Sequence, residues 1–296
     1  MSPAVARRRA LARLQLVGCG FFFGLMAVLG RLLATGPVRF TPGQLSVVRF
    51  GVGAAASLAV FAVRPSLYRP HNVRLLVTRG ISGGLVVVLY FAALARIPAG
   101  EAGMIYNLFP AIATVLALGL LGERPRLQLW LAIGVATLGV VLVLGNGSLR
   151  LGLGWGEGAA LAAAAFAAVS ANVIRAMRGT DNAPTIFFFF CLAGLPVVVP
   201  FALDPWPAGL LPWALAVVMA LSAFAAQVLM TEAYGALSVG EAAAWLQLTP
   251  IAQVLLAALV LGESITAVGL IGIAVSVAGV AWATRRGQRA VAVPPP

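Results

Sequence analysis

Ten apolar runs of about 19 to 24 residues follow one another along this chain, at positions 12–34, 41–63, 74–95, 99–121, 126–144, 155–177, 184–203, 213–235, 239–261 and 265–284. No other feature narrows the fold as far. A helix rises 1.5 Å per residue, so each run reaches across roughly 30 Å of hydrocarbon. The linkers are short and carry turn punctuation such as Gly36-Pro37, Arg64-Pro65, Gly145-Asn146-Gly147 and Asp204-Pro205. The expected fold class is an all-α integral membrane protein with ten transmembrane helices. Composition agrees: 61% of residues are hydrophobic and 9% charged, against about 25% charged in a soluble domain.

All twenty basic residues are arginine, and there are eight acidic residues and one histidine. The basic excess does not mark a nucleic-acid protein, because the arginines sit in small clusters between apolar runs and not on one soluble face. Cys19 and Cys191 lie inside apolar runs, and His71 has no metal-ligating neighbours at useful spacing. Neither a disulfide framework nor a metal site is indicated, and no cofactor is expected. The start, MSPAVARRRALARLQLVGCG, is basic and then apolar without a cleavage signature. It reads as a cytoplasmic arm over 1–11 followed by an uncleaved first helix. Residues 285–296 read as a cytoplasmic tail.

Two stretches are near copies. GEAGMIYNLFPAIATVLALGLLGE begins at Gly100 and GEAAAWLQLTPIAQVLLAALVLGE at Gly240. Ten of 24 positions are identical without a gap. The likeness extends outward: Pro42 matches Pro184, Ser82 matches Ser222, Ala93 matches Ala233, and Gly139-Val140 matches Gly279-Val280. The chain divides into two five-helix copies, 12–144 and 155–284. Five is odd, so the second copy enters the bilayer from the opposite side, giving an inverted repeat about an axis in the membrane plane. Such a pair has two equivalent packings, one open to each side, which suits alternating access around a midplane site.

Arginine placement sets the orientation. With the N-terminus inside, fifteen arginines fall on the cytoplasmic side: Arg7, Arg8, Arg9, Arg13, Arg64, Arg69, Arg74, Arg79, Arg124, Arg126, Arg175, Arg178, Arg285, Arg286 and Arg289. Both termini are then cytoplasmic. Trp155, Trp206 and Trp213 fall at outer helix ends, and Trp130 and Trp282 at inner ends, as interfacial anchors.

The paired stretches, with Pro110 and Pro250 at their centres and Leu-Gly-Glu at their ends, resemble the paired EamA repeats of the drug/metabolite transporter superfamily. The resemblance covers about residues 12 to 285. It implies a multi-pass carrier of small metabolites in a bacterial inner membrane, with helices 1–4 and 6–9 around a cavity and helices 5 and 10 peripheral. Relatives export amino acids and related compounds, and others import nucleosides, cofactors or S-adenosylmethionine. The expected activity is export of a small polar metabolite, with uptake of a nucleoside or cofactor as the alternative and lipid flipping behind it.

Polar residues inside apolar runs are the site candidates. Asn107 and Gln247 are repeat mates one turn before the prolines. An amide in hydrocarbon is costly without a partner, so each lines a cavity or bonds a neighbouring helix. Thr114 continues the Asn107 stripe, and Tyr106, Thr249 and Gln253 are companions. Arg49 lies inside the second run, with Cys191 as its mate. A charge at that depth faces the bundle interior or water and can hold a carboxylate with two parallel hydrogen bonds. Trp245 offers an apolar or cation–π wall, and Gln227 a cavity amide. Pro110 and Pro250 are expected to kink their helices, as gating hinges or static bends. Glu232 is either a proton-coupling carboxylate or the partner of a cytoplasmic arginine. Glu101, Glu123, Glu241 and Glu263 sit at helix ends, where they pair with arginines or complement the helix dipole.

No Walker motif is present, so energy would come from a proton or substrate gradient. An integral-membrane enzyme would need clustered His, Asp or Glu at one interface, which eight scattered carboxylates do not supply. The expected partners are a small-molecule substrate and the lipid bilayer, not nucleic acid; a homodimer through a peripheral helix stays open.

Overall fold

Apolar runs of this length close their backbone hydrogen bonds internally, and the described residues form helices and turns without a strand. The computed structural model describes residues 3–35, 39–94, 96, 105–122, 126–145, 154–262 and 265–287. Glu101, Glu123 and Glu263 lie outside the described residues.

Eleven helices are assigned among them: α1 Pro3–Thr35, α2 Pro42–Val63, α3 Val73–Leu94, α4 Phe109–Leu120, α5 Leu127–Gly145, α6 Trp155–Met177, α7 Ala183–Val198, α8 Leu210–Tyr234, α9 Val239–Leu246, α10 Leu248–Leu261 and α11 Ala267–Gly287. Among the described residues, seven stretches are long and apolar enough to cross a membrane, with α9 and α10 counted as one, and three shorter apolar helices accompany them. The chain is a multi-pass membrane protein. α1 is helical from Pro3, so it takes in most of the stretch read as an arm over 1–11, and it is 33 residues long, about 50 Å. Its first turns are held by ion pairs to α9 that the run of apolar residues does not reveal.

Local signals explain the starts. Thr41 caps α2 with a capping box to Gln44, and Pro42 occupies the first turn, where its missing N–H costs nothing. Asn182 caps α7 and Ser238 caps α9 through their side chains. The two repeated prolines do not bend continuous helices, as expected from sequence. They open new ones. Asn107 and Leu108 form a turn before α4, and Gln247 forms one between α9 and α10. There the bonds tighten to the three-residue kind, Leu108 N–H to the Ile105 carbonyl at 3.1 Å and Gln247 N–H to the Ala244 carbonyl at 3.3 Å. Pro110 and Pro250 lack the N–H that a continuous helix would send to residues 106 and 246.

The packing is reciprocal between the copies. α1 lies on α8, and their counterparts α6 and α3 lie on each other; α1–α10 is matched by α6–α4, and α2–α8 by α7–α3. α2 packs on its mate α7, and α5 on its mate α11. A twofold relation between copies requires this pattern. The α5–α11 seam is glycine-made. A Cβ on Gly139 would sit 2.3 Å from the Ser276 backbone nitrogen, and one on Gly279 2.5 Å from that of Ala136. The alanines of α6 bury one face, including Ala160, Ala163, Ala164 and Ala168, which lets α3 approach closely.

Candidate functional site

α1 and α8 run antiparallel, since Gly18 lies beside Leu229 and Gly30 beside Met219. The N-terminus of α1 therefore shares one end of the bundle with the C-terminus of α8 and the start of α9. That end is tied by ion pairs. Glu241, 1% exposed at its side chain, takes hydrogen bonds from Arg9 Nη2 and from Arg13 Nη2 at 2.7 Å and Nε at 3.1 Å. Arg178 Nη2 donates to Glu232 Oε2 at 2.8 Å, and Arg175 donates to the Tyr234 carbonyl at 3.2 Å. The loops join there as well: the His71 N–H donates to Asp181 Oδ1 at 2.8 Å, and Asn182 donates to the Leu67 carbonyl at 2.7 Å.

Between the copies lies a cavity of about 680 Å³. Its lining comes from α1, α2, α3, the turn at Tyr106–Asn107, α4, α6, α7, α8, α9 and α10, and from neither α5 nor α11 among the described residues. It reaches from the exposed Arg31 near the C-terminus of α1 to the buried Ile174 and Tyr234 toward the ion-paired end. Most of the wall is apolar. The polar groups on it are Arg31, Arg49, Arg79, Tyr90, Tyr106, Asn107, Ser170, Gln227, Tyr234, Thr249 and Gln253, and no carboxylate stands among the described lining residues.

Arg49 projects from α2 with its Nε buried and unbonded, and no hydrogen bond reaches its guanidinium among the described residues. Arg79 is 3% exposed. Its Nη2 donates to Gln227 Oε1 at 3.1 Å, its Nη1 approaches Ser170 Oγ at 3.5 Å, and the guanidinium carbon stands 4.1 Å from the Phe190 ring centre. Its Nε also lacks a partner. Ser82 and Ser170 share a hydrogen bond of 2.7 Å, joining α3 to α6 just behind it. Tyr90, Tyr106 and Phe109 form an aromatic run, with ring centres 4.9 and 5.4 Å apart.

Seven residues singled out from sequence border this space: Arg49, Tyr106, Asn107, Gln227, Thr249, Pro250 and Gln253. The others are placed elsewhere. Gln247 is fully buried and donates to Thr137 Oγ1 of α5 at 2.8 Å, an interhelical bond. Thr114 returns its hydroxyl to the Pro110 carbonyl at 2.7 Å, and Pro110 is buried away from the cavity wall. Trp245 packs against the cluster that holds Leu246, and its Nε1 is buried without a partner. Glu232 pairs with Arg178 outside the cavity. Glu241 pairs with α1 as described, in the first turn of α9.

Arg79 is the residue sequence reasoning misassigned, as a cytoplasmic topology marker. It stands nearly two turns into α3 and is buried. The available signal was its repeat mate. The offset of 140 that pairs Ser82 with Ser222 pairs Arg79 with Met219, so Arg79, like Arg49, is a charge that only one copy carries. No group of three or more His, Cys, Asp or Glu residues is placed to hold a metal ion among the described residues.

Comparison with known proteins agrees with this architecture. The model of the EamA-like transporter family matches twice, over residues 11–145 and 154–285. The pseudopaline exporter CntI of Pseudomonas aeruginosa, in two strains, is 29% identical over 167 residues, covering 55% of this chain and 58% of the relative. The chain thus matches under two thirds of that relative's length. A protein of known crystal structure superposes with a TM-score of 0.79 at 22% identity, over 94% of this chain and 98% of the other, a likeness of fold. With both copies matched in succession along nearly its whole length, the chain belongs to the EamA-like transporter family.

Proposed function

We propose that this protein is a secondary transporter that exports a small polar metabolite, an amino acid or related compound, across the bacterial inner membrane by alternating access. The observation that carries the reading is the cavity: both copies wall it, it reaches the exposed Arg31 at one end, and ion pairs tie the other. Reciprocal packing supports ten spans in two inverted copies, since an exchange of roles between α1–α8 and α6–α3 would carry the opening to the opposite side. Arg7, Arg8, Arg9, Arg13, Arg175 and Arg178 gather at the tied end, which favours that end as cytoplasmic, with both termini inside. The name of the matched Pseudomonas relative supports export.

The test is a measurement of metabolites inside and outside bacteria producing the protein, against an Asn107→Ala variant at equal membrane abundance. Depletion inside with enrichment outside, only with the intact protein, is expected. Accumulation inside would reverse the direction and favour uptake. No change in any amino acid, nucleoside or cofactor would remove the support for a carrier.

A further inference from the structure

We infer that the transported compound is an organic anion with two acidic groups, carboxylate or phosphate, bound between Arg49 and Arg79. This rests on the transporter reading and narrows its cargo.

Two guanidinium groups inside the bundle, the buried Arg79 and the half-buried Arg49, face one cavity. Buried charges are stable when paired. Arg79 is only partly compensated, by Gln227, Ser170 and the Phe190 face, and Arg49 has no hydrogen bond among the described residues. Both leave an Nε unbonded. A guanidinium presents its donors in a planar fork, so the Nη groups of Arg49, which carry no hydrogen bond among the described residues, match the two oxygens of a carboxylate or phosphate. No carboxylate stands on the described wall to neutralise either cation or to receive a substrate ammonium group.

The asymmetry of the repeat sharpens the assignment. Met219, the mate of Arg79, lines the same cavity as an apolar residue, and the mate of Arg49 is the buried Cys191. Conversely Val87, mate of Gln227, lines the cavity beside these groups. Inverted copies would make the two walls alike by default. Here the first copy supplies all three cations, Arg31, Arg49 and Arg79, and the second supplies Ser170, Gln227, Tyr234, Thr249, Gln253 and apolar surface. A symmetric or zwitterionic ligand does not require that division. A compound with paired acidic groups toward α2 and α3 and an uncharged remainder toward α8 and α10 does. A cavity of about 680 Å³ has room for more than a minimal diacid, since sites of a few hundred Å³ enclose drug-sized molecules.

The experiment uses the full chain in proteoliposomes loaded with an equimolar mixture. The mixture contains straight-chain monocarboxylates and α,ω-dicarboxylates of three to ten carbons, mono- and bisphosphate esters, and neutral and cationic amino acids. Released compounds are identified by mass spectrometry. Efflux of dicarboxylates or phosphate esters, with monocarboxylates at least about tenfold slower, is expected from the loss of one charge-assisted contact. The carboxylate and phosphate arms tell which acid is preferred. Arg49→Gln and Arg79→Gln should each slow that efflux by about tenfold or more. Arg49→Gln breaks no hydrogen bond among the described residues, so its folding, checked by thermal unfolding, should be unimpaired. Efflux confined to neutral, zwitterionic or cationic members would overturn the inference and leave transport standing, as would unchanged efflux in both variants. No efflux of any member from folded protein would count against the transporter reading itself.

Discussion

Glu241→Gln should loosen the tied end of the bundle. In the parent, one carboxylate at the start of α9 holds two arginines of α1, with side-chain exposures of 8% for Arg9 and 13% for Arg13. Removing one partner of a buried ion pair costs about 3–5 kcal/mol, because the remaining charge is stranded. Both arginines lie in the first turns of α1 and can extend toward headgroups and water, so the lower end, about 3 kcal/mol, applies. If only the form closed at this end loses that energy, the equilibrium moves roughly 150-fold toward opening, at about 1.4 kcal/mol per tenfold. The assay places a single cysteine at Met230, on the cavity wall of α8, with Cys19 and Cys191 replaced by alanine. Modification by a membrane-impermeant maleimide is followed from the side that holds the α1 N-terminus. The rate should rise strongly with Glu241→Gln and less with Arg13→Gln, which leaves the Arg9 pair intact. If the rate is unchanged while thermal stability falls in proportion, the cluster braces the fold and does not gate it.

Three further outcomes are expected. Gly139→Val should force α5 and α11 apart, because even a Cβ there meets the Ser276 backbone at 2.3 Å. A loss of about 1–3 kcal/mol is expected in thermal unfolding, without change in the ligand affinity of the surviving folded protein, and an unshifted melting temperature would contradict the seam. Glu232→Gln should alter stability by no more than about 1 kcal/mol, since its side chain is 37% exposed and such pairs contribute little; loss of proton-driven transport in that variant would return Glu232 to a coupling role. Ser82→Ala should cost about 1 kcal/mol by removing the 2.7 Å bond to Ser170, and a neutral result in chemical denaturation would show that the α3–α6 contact does not depend on it.

Much of the architecture is legible in the chain because a helix in lipid must satisfy its own backbone, so length and hydropathy are enough to place it. The described helices fall on the sequence-derived runs, and the breaks at Asn107 and Gln247 occur where Pro110 and Pro250 remove an amide donor. Duplication is visible directly, because equivalent positions carry equivalent residues. The cavity wall is less legible. Asn107 and Gln247 are mates in sequence, yet one borders the cavity and the other bonds Thr137 of α5. Rotation of a side chain about its helix axis decides this, and neighbouring helices set that rotation.

Charges show the same boundary. Sequence alone determined that Arg49 is too deep in its run to be an ordinary surface residue, since its distance from either end of the run is a property of the chain. The environments of Arg79 and Glu241 were decided by tertiary structure. Arg79 is buried because α6, α7 and α8 bring Ser170, Phe190 and Gln227 around it. Glu241 finds Arg9 and Arg13 across more than two hundred residues. A residue's depth along its own helix is written locally. The charge it meets there depends on which helices the folded bundle sets side by side.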